Sequence, residues 1–110
     1  MIDWTRIAEL RSEIGEDDLQ EVVGLFLEET DEVVARLSAS AAVSTLEAEL
    51  HFLKGSALNL GFAHLADLCQ DGERRAARGD GATIQLDAII AMYHQSKSTF
   101  LAGVALDPAA

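Results

Sequence analysis

The run His51-Phe52-Leu53-Lys54-Gly55-Ser56-Ala57-Leu58-Asn59-Leu60-Gly61 carries residue types able to do chemistry at helical spacing. Residues three and four apart are neighbours on a helix surface, so His51, Lys54 and Gly55 share one patch. An imidazole in contact with water keeps a free lone pair near neutral pH and is a competent nucleophile. Lys54, one turn on, can neutralise a phosphoryl group placed on the ring. Gly55 has no side chain, which lets a second protein come close. Glycine within a helix costs up to about 1 kcal/mol against alanine; access is a reason for that cost, and packing of a neighbouring helix is the alternative. The chemistry that suits these three is acceptance of a phosphoryl group by His51.

Other chemistries lack their parts. No serine or cysteine is arranged for an acyl-transfer triad. No glycine-rich loop suits ATP, because the glycines at 55 and 61 fall within a helix and at its end. None of the three histidines belongs to a Glu-x-x-His pair, which disfavours a di-metal centre, and no metal ligands are assigned. The chain thus offers a nucleophile without machinery to activate a phosphoryl donor. It is expected to be no enzyme in its own right and to receive phosphate from a protein that does the activation. Ser56 and Asn59 are expected to bond their own helix backbone. Cys69 falls on an apolar stripe as a small core residue. His64 and His94 lack comparable surroundings, and Arg74, Arg75 and Arg78 read as a solvated helix end.

Composition bounds the scaffold. A chain of 110 residues makes one domain with a core of its own. Its one proline, Pro108, leaves 107 residues free to form long helices. The single cysteine cannot form an internal disulfide, and the N-terminus lacks the basic and apolar regions of a signal peptide. No apolar run approaches the roughly 20 residues of a membrane span. A net charge of −11 repels nucleic acid and anionic lipid. The expectation is a cytoplasmic protein that binds neither.

Five helices are predicted. The first spans about 4–14, with Asp3 as N-cap and Gly15 as terminator. The second spans about 16–38, with Glu16, Asp17 and Asp18 at the positive end of its dipole. Its outer face, including Glu21, Glu28, Glu29, Asp31, Glu32 and Arg36, is expected to be solvated. After a small-residue connector at 38–43, Ser44 and Glu47 match a capping box. The third helix then runs to Leu60, with Gly61 as a left-handed C′ residue and Leu46, Leu50, Leu53, Ala57 and Leu60 facing inward. The fourth covers about 62–77; Gly72 within it predicts close packing of a neighbour. The fifth covers about 82–104, with Leu86, Ile89, Ile90, Tyr93, Lys97, Phe100 and Leu101 in register, and Asp107-Pro108 stops it. The expected fold is all-α: an antiparallel up-and-down four-helix bundle at about 16–104, with a short additional N-terminal helix and a tail at 105–110.

The register His51-x-Leu53-Lys54-Gly55-Ser56-x-x-x-Leu60-Gly61 resembles the signature of histidine-containing phosphotransfer (HPt) domains. Glu16-Asp17-Asp18-Leu19 and Leu25-Phe26-Leu27-Glu28 also resemble that family's second helix, so the likeness runs through nearly the whole chain. It implies a bundle whose histidine shuttles phosphate between receiver-domain aspartates of response regulators in a multistep phosphorelay, fed by a hybrid or other sensor histidine kinase. It implies phosphorylation at Nε2 of His51, no cofactor of its own, and Mg²⁺ supplied by the receiver. Many members have a small residue where this chain has Leu50, a departure that touches packing. Some present a polar side chain from the next helix to the imidazole, for which Gln70 and Glu73 are candidates; Glu47, one turn before His51 on the same helix, is a separate candidate to orient the ring through Nδ1–H, with capping as its alternative role. Leu58 is a candidate for partner docking. The chain is expected to be a monomer. A helical adaptor that binds receivers without accepting phosphate is the competing function.

Overall fold

The structure, a computed structural model, describes residues 2–39 and 43–106. Five α-helices account for nearly all of them: α1 (Trp4–Ile14), α2 (Glu16–Ala39), α3 (Val43–Leu60), α4 (Ala63–Ala77) and α5 (Leu86–Leu106). Among the described residues there is no strand, only an isolated bridge between Ile2 and Phe62. The all-helical expectation holds.

Asp3 caps α1 by accepting from the Thr5 backbone N–H at 3.1 Å. The acids expected in the first turn of α2 are there. Two boundaries differ from expectation. Helix α3 begins at Val43, before the expected cap, and the side chain of Ser44 lies outside the described residues, as do the connector at 40–42 and the stop at Asp107-Pro108. Helix α5 begins at Leu86 rather than near 82, because Gly81–Thr83 forms a separate 3-10 turn. There the Thr83 hydroxyl donates to the Asp80 carbonyl at 2.7 Å. That local bond competes with helix propagation.

The inward stripe of α3 is buried as predicted: Leu50, Leu53 and Leu60 are wholly inaccessible, with Leu46 and Ala57 close to it. Burying a leucine side chain contributes roughly 1.5–3 kcal/mol, so this stripe anchors the helix that carries His51. Helix α3 packs mainly against α4 and also against α2, while α5 packs against both α4 and α2. Gly72 lies on the α3–α4 seam. A Cβ there would stand 2.9 Å from Leu50 Cδ1 and 3.5 Å from Ile84 and Ile89. The bulky residue before the histidine is thus accommodated by a glycine on the facing helix.

The turn between α3 and α4 is tight. Phe62 N–H donates to the Ala57 carbonyl at 2.7 Å and Gly61 N–H to the Leu58 carbonyl at 3.3 Å. This is the Schellman pattern, and it requires the φ of +74° that Gly61 adopts. Helix α1 clamps the same turn: Asp3 N–H donates to the Gly61 carbonyl at 2.6 Å. Arg6 also donates to the Asn59 side-chain oxygen at 3.3 Å. Asn59 therefore serves α1 rather than its own helix, contrary to the sequence reading. At the other end of this contact Trp4 stacks on Phe100, ring centroids 5.9 Å apart, and lies over Gly103.

The acid run of α2 is not uniformly solvated. Asp31 accepts from the Tyr93 hydroxyl, and Lys97 Nζ lies 2.8 Å from its Oδ2. Burial opposes the charge on Asp31, but Lys97 and Tyr93 outweigh it and hold its carboxyl below the usual range; the buried Tyr93 hydroxyl is pushed up by burial and by that carboxylate. Arg36 pairs with Glu49 of α3 at 3.1 Å. Both links tie α2 to its neighbours. Leu101, expected in the α5 stripe, is nearly half exposed, whereas Ser96 is wholly buried.

Candidate functional site

His51 sits in the middle of α3, on the face opposite the buried leucine stripe, and its side chain is 68% exposed. Helical geometry places Lys54 and Gly55 one turn further on and Leu58 two turns further on, in line with the ring. Leu58 is exposed, as is Phe52, the residue after His51 in sequence. A Cβ built at Gly55 meets nothing within 4 Å. No helix packs there, so Gly55 leaves open surface beside the imidazole.

The remaining contribution comes from α4. Leu65, Ala66, Cys69 and Gly72 are buried, and this register turns Glu73 toward α3. One carboxylate then serves two residues. Oε1 lies 2.7 Å from His51 Nδ1, and Oε2 forms an ion pair with Lys54 Nζ at 2.8 Å. The Lys54 ammonium is the main influence holding the Glu73 carboxyl below its ordinary range; it outweighs the partial burial of the group, and His51 adds to it. Glu73 is therefore ionised at neutral pH and can only accept. It follows that Nδ1 carries the proton of the neutral ring. The other nitrogen, Nε2, keeps its lone pair on the open side.

Of the three side chains weighed for contact with the ring, Glu73 is the one that makes it. Glu47 lines the same shallow hollow, with Ala48, His51 and Glu73, but among the described residues no hydrogen bond joins it to His51. Gln70 is exposed one turn N-terminal to Glu73 and likewise makes no bond to the ring. Helical spacing placed Lys54 near His51 but gave no sign of its pairing with Glu73, because 19 positions and a turn separate the two in sequence. Beneath the site, burial and the Glu73 carboxylate push the Cys69 thiol up to about 12, so it stays an inert core thiol.

Other motifs stay outside this patch. His64 and His94 are exposed on α4 and α5. Arg75 pairs with Asp71 at 2.9 Å and donates to Thr83 Oγ1 at 3.1 Å, fixing the end of α4 to the 3-10 turn. No group of three or more metal-ligating side chains occurs among the described residues. No described helix is long and apolar enough to cross a membrane.

Comparison with curated proteins and with solved structures returned no match. A family model did match: that of the Hpt domain, over residues 21–99, a span that takes in α3 and α4 whole, along with most of α2 and α5. A match over most of the chain, centred on an exposed helix-borne histidine, shows that the chain belongs to the Hpt domain family.

Proposed function

We propose that this protein is a phosphorelay intermediate that accepts a phosphoryl group on Nε2 of His51 from a receiver-domain aspartate and passes it to another. The observation that carries the reading is the contact of Glu73 with Nδ1. It leaves Nε2 as the free nucleophile, beside a cation and an open glycine surface. Membership of the Hpt domain family places the chain in histidine phosphotransfer signalling.

The transfer is an in-line displacement. The receiver's acyl phosphate, held with the Mg²⁺ that the receiver supplies, meets the imidazole. What this chain provides is position and charge. Packing of α3 holds the ring, Lys54 faces the incoming oxygens, and Gly55 and the exposed Leu58 form part of the docking surface. The reaction is reversible, because acyl phosphate and phosphohistidine both transfer readily. Helices α2 to α5 form the antiparallel four-helix bundle of this reading. A hybrid or other sensor histidine kinase stands upstream.

The test is incubation of the chain with phosphorylated receiver domains. Label that is acid-labile and base-stable is expected in the wild type and absent from His51→Gln. Label retained by that variant, or none in the wild type across several receivers, overturns the proposal.

A further inference from the structure

The contact between Glu73 and Nδ1 has a second effect, on the phosphorylated ring. When Nε2 attacks an acyl phosphate, the N–P bond forms and the P–O bond to the donor breaks. The electron pair of the broken bond leaves on the donor carboxylate. No proton moves, so the product is a phosphoimidazolium that still carries hydrogen on Nδ1. For onward transfer an acceptor carboxylate attacks phosphorus and the N–P pair returns to Nε2. With Nδ1 protonated the leaving group is neutral imidazole. Once that proton is lost the leaving group becomes imidazolate, which is far poorer, and the phosphate is stranded.

We infer that Glu73 is a positioning residue for the phosphorylated state: its carboxylate, 2.7 Å from Nδ1, keeps that nitrogen protonated and so keeps phosphohistidine ready to transfer. The inference rests on the phosphorelay reading. Two features of the site support it. The ring side chain is 68% exposed, so burial does not counter the charge it gains. Lys54, which shares the Glu73 carboxylate in the free protein, has a competing partner once a phosphoryl group stands on Nε2. As Lys54 turns to the phosphoryl oxygens, more of the Glu73 charge falls on the ring. The titratable groups around the ring are Glu47 and Lys54 on α3 and Glu73 on α4. From the α2 side, Arg36 is engaged with Glu49.

His64 is exposed and, among the described residues, has no carboxylate bonded to its ring, which makes it the internal reference; His94 stands close enough to Asp31 for its charge to act on that carboxylate and is left out of the comparison. Phosphoramidate, a small phosphoryl donor, loads accessible imidazoles without any receiver. The experiment follows the Nδ1 titration of each phosphohistidine in the full chain by ¹H–¹⁵N spectra, together with the pH profile of transfer from His51 to a receiver. An opposite charge at this distance shifts a pKa by about 1 unit or more. The phosphorylated ring of His51 is therefore expected to titrate about one unit above that of His64. Glu73→Gln should remove that gap and move the alkaline limb of transfer down by a similar amount, and Glu73→Asp should restore part of both. Equal midpoints at His51 and His64, or a Glu73→Gln profile unchanged from wild type, overturn the role of Glu73. A chain that phosphoramidate labels but no phosphorylated receiver does overturns the phosphorelay reading instead.

Discussion

At the scale of single residues, the proposed function divides the site into groups that react and groups that admit a partner. Lys54→Ala removes a partly exposed ion pair, so its stability cost should stay below about 1 kcal/mol. Transfer from a receiver should fall about tenfold, since a partly exposed cation is worth less than a buried oxyanion donor. Stopped-flow transfer beside thermal melts checks both; lost helicity in this variant would make Lys54 structural. Gly55 gives the complementary case. Nothing occupies the space above it, so Gly55→Ala should raise stability by up to about 1 kcal/mol through helix propensity. A larger side chain, Gly55→Leu, should slow transfer from receivers while leaving phosphoramidate labelling of His51 unaltered. Slowing of both reactions alike would show that Gly55 acts on the ring and not on partner approach.

At the scale of elements, the seam between α3 and α4 decides where Glu73 points. Leu50 is wholly buried and faces Gly72 so closely that a methyl group at 72 cannot enter without displacing it. Gly72→Ala should therefore destabilise by about 1–3 kcal/mol despite its better helix propensity. Leu50→Ala should cost about 2–5 kcal/mol. Because each fills the other's space, the double variant should be more stable than the sum of the two costs implies, and a denaturation cycle measures the coupling. Additive costs would show that the two positions do not share the seam. Much of this was legible in the sequence. The stripe of α3, the left-handed Gly61 and the close packing at Gly72 all follow from spacing and glycine chemistry. The choice of Glu73 over Gln70 and Glu47 does not, because it depends on the rotation of α4 about its axis. That rotation is set by the burial of Cys69 and Gly72 together. The late start of α5 was hidden for a different reason: a side-chain-to-backbone bond at Thr83 stops the turn from extending into a helix.

At the scale of the whole molecule, the link between Asp31, Tyr93 and Lys97 joins α2 to α5, away from the chemistry. The folded state holds the Asp31 carboxyl below its ordinary range. The unfolded chain therefore takes up that proton at higher pH than the folded one. The stability this link contributes is complete above the ordinary carboxylate range of about 4 and is lost as pH falls through the lower folded value. Glu73 acts in the same sense. Melting temperatures taken from pH 6 to pH 3 should fall more steeply for wild type than for Asp31→Asn, and parallel curves would remove Asp31 from the account. The acid link was not legible in the sequence, where Asp31 sits in a run of surface acids and its partners lie more than 60 positions away.

Trp4 is the only tryptophan in the chain, and it lies against Phe100 and Gly103 of α5 while the helix it starts clamps the turn that ends α3. Its fluorescence therefore reports, without any label, whether the N-terminal helix is seated. A red shift that precedes the loss of far-ultraviolet ellipticity on heating would identify α1 as the first part to come away. The same signal, followed while a receiver is added, would show whether partners are met by a molecule with that helix in place.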